Sequence, residues 1–233
     1  MILSNDGGSP NTVLDVSAGV CLDSNNVVFM KLPSFSKSTA GTFTPGPANN
    51  GMGTGLTIAN STWYHVFSII NFNNVPDIYF DTSVSAANKP GGTQAFRRIG
   101  SFKTDGSAHI IAFTQLGDEF IWAADVADVA GTSVSTTPTT LTLASVPTGL
   151  KVGAILNLTL NATGAGWNGS IYSPDISTFV GFSLNAAASV SASTGPVVIR
   201  TNTSGQILGI VSTTGGTTNI WTLGWVDTRG RLL

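Results

Sequence analysis

Two histidines, one cysteine and one glutamate are a small stock for nucleophilic or acid–base chemistry in a 233-residue chain. His65 and His109 each fall inside a strand-like run. Neither has a second His, Cys or carboxylate at ligand spacing, so both are read as structural and no metal site is assigned. Glu119 adjoins Asp118, but neighbours on an extended chain point to opposite faces and cannot readily share a proton. Asp77 and Asp81 share a strand face about 13 Å apart, too far for a carboxylate pair, and read as solvated strand-end residues. No Gly-x-Ser-x-Gly elbow is present. Cys21 stands alone, which excludes an intramolecular disulfide framework and a cysteine-based zinc site. The chain is therefore expected not to be an enzyme: no catalytic residue is assigned, and no cofactor is implied.

Gly164-Ala-Gly166-Trp-Asn-Gly169 spells the dinucleotide-binding fingerprint G-x-G-x-x-G after a strand. That fingerprint works by presenting pyrophosphate to a helix N-terminus, whereas Ser-Ile-Tyr-Ser-Pro174, a strand and then a breaker, follows here. The glycines are read as shaping a loop. Within the Gly164–Asp175 loop, Trp167, Asn168, Tyr172 and Asp175 combine an aromatic face with amide and carboxylate groups, the chemistry of glycan recognition. The same Trp167 ring could instead fold back and cap the core. Trp221 and Trp225 lie four apart with Leu223 between them, which places them on one strand face as core residues.

The composition narrows the classes. Charged residues make up only 9% of the chain, against roughly 25% in ordinary soluble proteins. Thr, Ser, Asn and Gly take their place, so the surface hydrogen-bonds through hydroxyls and amides. A net charge of −2, with Lys and Arg dispersed except for Arg97-Arg98, argues against a nucleic-acid partner. No apolar run reaches the length of about 18 residues that a membrane-spanning helix needs, and the N-terminus lacks a secretory signal pattern.

The elements that must position any site are strands. Short β-prone runs alternate with Gly, Pro, Asn and Ser clusters, and no convincing amphipathic helix occurs; Asp125 to Ala130 amounts to a turn at most. Trp63 to Ile70 is aromatic and β-branched on both faces and reads as a central strand buried on two sides. Ile78 to Phe80 is a second strand. Ala95 to Lys103 and Ala108 to Thr114 flank Asp105-Gly106, which predicts a type I′ hairpin, extended by Glu119 to Ala123 into a three-stranded meander. Six further strands are read at Thr139–Val146, Lys151–Asn161, Gly169–Tyr172, Pro196–Thr201, Gln206–Thr213 and Asn219–Val226. Leu156-Asn-Leu-Thr-Leu160 alternates strictly, so it should bury one face. The expected fold is all-β: two tandem antiparallel β-sandwich, jelly-roll-like domains over 1–123 and 139–233, joined by a 124–138 linker of small polar residues. One continuous jelly roll is the alternative.

Ala95-Phe-Arg-Arg-Ile-Gly-Ser-Phe-Lys-Thr-Asp-Gly-Ser107, continued by Ile110 to Phe113 and Gln115 to Trp122, resembles a module of tail-fibre and related virion proteins of tailed bacteriophages and prophages. Asn60 to Phe67 resembles the strand upstream of that module. Leu223-Gly-Trp-Val-Asp-Thr-Arg-Gly-Arg231 resembles its usual C-terminus. Trp63-Tyr-His-Val66 also resembles a strand of laminin-G and concanavalin-like jelly rolls. The resemblance implies a virion structural protein of the tail, in the fibre or tail tip, assembled in the host cytoplasm. It implies a homo-oligomer, by analogy a trimer, with other tail or virion proteins as partners and a host surface glycan as a contact. A lectin-like carbohydrate-binding module and a capsid decoration protein are the alternatives.

Overall fold

The computed structural model describes residues 1–162, 167–177, 182–186, 191–213 and 215–229. It is all-β, with nineteen strands and no helix among the described residues. The chain forms two compact units, one of Met1–Asp118 with the stretch from Thr228, the other of Glu119–Asp227.

In the first unit the strands are β1 (Leu3–Asn5), β2 (Val13–Val16), β3 (Gly19–Leu22), β4 (Phe29–Leu32), β5 (Phe35–Thr42), β6 (Asn50–Met52), β7 (Trp63–Asn71), β8 (Pro76–Asp81), β9 (Thr93–Lys103) and β10 (Phe113–Leu116). Its main sheet runs β10-β1-β2-β5-β6-β8-β7-β9, and β3 and β4 pair separately. β7 lies between β8 and β9, and Trp63 through Ile70 are all buried, as their apolar run predicts. Phe67 stacks on Tyr79 at 5.2 Å, Tyr64 on Phe102 at 5.4 Å, and Phe80 meets Phe102 edge-on at 5.1 Å. Offset and edge-on arrangements of this kind suit the aromatic quadrupole.

Three expectations for this unit fail. The sheet is mixed, not antiparallel, because β6 pairs in parallel with both β5 and β8. The type I′ hairpin does not form. Asp105 Oδ1 instead accepts from the backbone N–H groups of Ser107 and His109, and the positive φ falls on Ala108 at 61°. A side-chain carboxylate that closes its own loop removes the need for positive φ at the Asp-Gly pair. Consequently β9 pairs with β7 and β10 with β1, so the meander through residue 114 is absent.

Asp77 and Asp81 are buried, not solvated. Lys37, fully buried, sits 3.0 Å from Asp77 and donates to the Thr44 and Gly46 carbonyls at 2.6 and 2.8 Å. Asp77 Oδ2 accepts from Gly46 N–H at 2.7 Å. This pair ties down the 43–49 connection that brings the chain round to run parallel in β6. Asp81 accepts from Ser83 and Asn88 N–H and from the Tyr79 hydroxyl, and burial pushes the Tyr79 phenol well up.

In the second unit, β11 (Glu119–Ser133), β13 (Gly153–Ala162), β16 (Ser191–Ser193) and β19 (Gly216–Val226) follow the order β16-β13-β19-β11, and β17 (Val197–Arg200) also pairs with β13. A second sheet runs β12-β18-β14-β15, from β12 (Thr139–Thr142), β14 (Trp167–Tyr172), β15 (Phe182–Ala186) and β18 (Gln206–Val211). Leu156, Leu158 and Leu160 are buried while Asn157 and Thr159 are half-buried, as their alternation predicts. The 124–138 stretch is not a free linker, since β11 continues through Ser133 in register with β19. Three register shifts along that pairing break the alternation that would have marked it as a strand. Trp221 and Trp225 do not share a face. Thr222 and Gly224 oppose consecutive residues Leu156 and Ile155 of β13, so Leu223 is an inserted bulge residue and Trp225 changes sides. Trp225 is fully buried, stacked on Phe120 at 4.9 Å, whereas Trp221 is half-buried.

Candidate functional site

The chemistry-bearing residues that the first unit brings together are arginines. β9 carries a register shift against β7, where Val66 opposes Gly100 and Phe67 opposes Arg98, so Ile99 is an extra residue. A bulge re-aims the side chains beside it. Arg97, Arg98 and Ile99, consecutive in sequence, accordingly line one cavity of about 290 Å³ together with Val20, Cys21, Leu22, Asn26, Met1 and Arg229.

Each wall has a local cause. The β3–β4 hairpin is closed by Asp23, whose Oδ1 accepts from Val27 and Val28 N–H at 2.7 and 2.8 Å, with Asn26 at φ 58°. The Val28 N–H bond above all, with Val27, Asn25 and the Arg97 charge, holds the Asp23 carboxyl below its ordinary value. Ser24 N–H and its hydroxyl both donate to Phe96 O, fixing the hairpin to β9. Arg97 donates to Asp23 O at 3.2 Å and Asn26 Oδ1 at 3.3 Å. Arg98 donates to Ser101 Oγ at 3.2 Å, and Ser101 Oγ lies 2.9 Å from the buried His65 Nδ1. Arg229 donates to Met1 O at 3.0 Å, to Ile99 O and to Gly117 O, and pairs with Asp118 at 2.9 Å. Burial raises the Cys21 thiol, with the Arg97 charge acting in the opposite direction.

The hairpin also presents an apolar outer face. In its register Leu22 faces Phe29 and Val20 faces Lys31, while Cys21 and Met30 face each other on the other side. Phe29 is 63% exposed and Val20 59%. Val20 and Leu22 belong both to this face and to the arginine-lined cavity.

The structure spreads the glycan residues expected from sequence along one strand and the turn after it. Trp167 to Tyr172 form β14 and not a loop, so Trp167 and Tyr172 stand at opposite ends of one strand, about 16 Å apart. Tyr172 is buried, Asp175 pairs with Lys151, and Asn168 exchanges bonds with Ser212 through its backbone. Gly164 and Gly166 of the fingerprint lie outside the described residues, and Gly169 lies within a strand. His109 is an exposed residue 3.7 Å from Asp105. Among the described residues no group of three or more His, Cys, Asp or Glu is placed to hold a metal.

The Arg97-Arg98 pair is visible in sequence as two adjacent positive charges. Arg229 and the hairpin are not linked to it by any spacing, because 130 residues separate Arg229 from Ile99 and 74 separate Arg97 from Asp23.

No protein-family model matches the chain, and no curated protein matches it. Among solved structures, a chain from the structure of infectious bursal disease virus Gx strain aligns at 11% identity and a TM-score of 0.19. The alignment covers 96% of this chain and 65% of that one, a likeness too slight to inform fold or function.

Proposed function

We propose that the chain is a non-enzymatic structural protein of a virion, and that its place is the tail of a tailed bacteriophage, in the fibre or tail tip. The observation that carries the reading is where the resemblance residues go. Described residues of the four resemblance segments, 60–67, 95–107, 115–122 and 223–229, contact one another in the first unit. β7 pairs with β9, and Arg229 ties Ile99 to Gly117 and Asp118. Thr104 Oγ1 accepts from Thr62 N–H at 2.9 Å and donates to Ala59 O, next to the first segment, at 2.6 Å. Arg98, Ser101 and His65 form a further chain of contacts. These residues tie neighbouring strands and loops to one another, which suits a structural role.

In this reading the protein is a homo-oligomer, a trimer by analogy with fibre proteins, and contacts other tail proteins and a host surface glycan. Few charges and many hydroxyl and amide groups suit a surface that must keep its bonds as ionic strength varies. Sedimentation of the purified protein and mass spectrometry with antibody labelling of purified particles test it. An oligomer found on tails is expected; a stable monomer absent from particles overturns the reading. Labelling confined to the capsid would overturn the tail assignment and keep the virion one. Release of reducing ends from host polysaccharide, abolished by Glu119→Gln, would overturn the non-enzymatic part.

A further inference from the structure

We propose that the outer face of the β16-β13-β19-β11 sheet in the second unit binds an uncharged saccharide, at a block of four side chains: Asn157 and Thr159 of β13, Asn219 and Trp221 of β19. The register places them together, since Asn157 pairs with Trp221 and Thr159 with Asn219. Directly paired residues share a face of an antiparallel sheet with Cβ atoms about 4.5–5.5 Å apart, and alternate residues of one strand lie about 7 Å apart. The other face of β13 is the packed one, because a Cβ on Gly169 of the second sheet would lie 2.6 Å from Leu160 Cδ1. The Asn157 face therefore looks away from the core. The proposal rests on the glycan contact of the reading above and gives that contact a site and a ligand class.

The groups that meet the ligand are not taken by the protein itself. Among the described residues the Asn157 amide makes no hydrogen bond, and its Oδ1 is shut off from water. Trp221 is half-buried, and its indole has no hydrogen bond, ring stack or cation contact among the described residues. Neither side chain is bonded in place, so both can turn to meet a ligand. Asn219 Oδ1 accepts from Gly131 N–H at 2.7 Å and Thr159 Oγ1 lies 3.1 Å from Ser193 Oγ, bonds that fix the block and leave the Asn219 Nδ2 donors over. A sugar hydroxyl both donates and accepts, so it answers the Asn157 oxygen, the Asn219 donors and the indole N–H alike. The indole offers an apolar surface to the C–H face of a sugar ring. No charged side chain stands in the block or at its register partners Ser193 and Ala127. A nucleic acid would bring phosphates with no cation to meet them, and an apolar protein face would bury two amides and an indole N–H unpaired.

The test is affinity electrophoresis of the full chain through gels holding dextran, mannan or galactan, with polygalacturonate as the charged comparison and a non-binding protein as mobility reference. Retardation is expected in at least one neutral polymer and not in polygalacturonate. Trp221→Ala should abolish it. Asn157→Thr should raise the apparent Kd roughly fivefold, the loss of one hydrogen bond. The same variant should not lower the unfolding midpoint, because Thr suits a strand and the amide it replaces bonds nothing among the described residues. Trp167→Ala, in β14 of the other sheet, should leave binding unchanged. Oxidation by N-bromosuccinimide, mapped by peptide mass spectrometry, needs no substitution: the polymer that retards the protein should protect Trp221. No retardation in any neutral polymer, equal or greater retardation in polygalacturonate, unweakened binding by Asn157→Thr, or an unprotected Trp221 overturns the proposal. Loss of binding with Trp167→Ala and not with Trp221→Ala also overturns it, in favour of a site at β14. A protein found on tails that binds no polymer loses this site and keeps the virion reading, whereas a binder absent from particles does the reverse, so the two failures are distinguishable.

Discussion

Lys37 shows how a chain with few charges uses one. Its ammonium is fully buried against Asp77, two backbone carbonyls and the Phe43 ring, 4.5 Å from the centroid. Burial lowers its basicity, and the Asp77 contact acts the other way. Lys37→Met is expected to leave the Asp77 carboxylate buried without its counter-charge and to cost about 3–5 kcal/mol in urea denaturation. Lys37→Met combined with Asp77→Leu should recover much of that loss, since removing both charges removes the desolvation cost. Gly224 is the opposite case, a residue chosen for what it lacks. A Cβ there would lie 2.0 Å from Phe120 O and 2.9 Å from Ile121 Cα. Gly224→Ala should therefore destabilise by at least the roughly 1–3 kcal/mol typical of overpacking, with loss of the near-ultraviolet signal of the Phe120–Trp225 stack. The sequence marks neither position, because the partner in each case comes from a distant strand.

At the scale of the element, the β3–β4 hairpin depends on Asp23. Its carboxyl is held below the ordinary 3.8 by backbone N–H groups, so the native state binds fewer protons than the unfolded chain as pH falls. The stability it contributes is fully present above pH 3.8 and is lost as pH falls through the lowered native value. The stability difference between the unsubstituted protein and Asp23→Asn should thus be largest near neutral pH and shrink in acid, as followed by unfolding at a series of pH values. A constant difference across that range would remove the carboxylate charge from the explanation. β7 was legible from Trp63 to Ile70 because burial on both faces needs an unbroken apolar run. β11 was not, because its three register shifts against β19 disrupt the two-residue period, leaving Ala, Asp and Val in a pattern that looks like a linker.

For the molecule as a whole, the first unit takes up the chain again at Thr228 after the second unit is complete. Arg229 makes that return count, bonding Met1, Ile99, Gly117 and Asp118 while only 9% exposed. Arg229→Ala should lower the stability of the first unit by about 1.5–3 kcal/mol, the usual value of a charged hydrogen-bonded group. Faster Cys21 alkylation would report it. Four of the five tryptophans, at 122, 167, 221 and 225, belong to the second unit, so its fluorescence transition should stay in place. A joint shift of both signals would show that the two units unfold together.

The sequence by itself determined the all-β class, the double-sided burial of Trp63 to Ile70 and the alternation at Leu156 to Leu160. Each of these is a local period, readable within ten residues because side chains on a strand alternate. Tertiary structure alone decided which groups meet. It buried Asp77 against Lys37, set Trp167 and Tyr172 at opposite ends of β14, and moved Trp225 across its sheet through the inserted Leu223. It also joined Arg97-Arg98 to Arg229 and an apolar hairpin in one cavity. The physical reason is the same throughout: strand pairing and bulges bring together residues far apart in the chain, and a single inserted residue reverses every face beyond it.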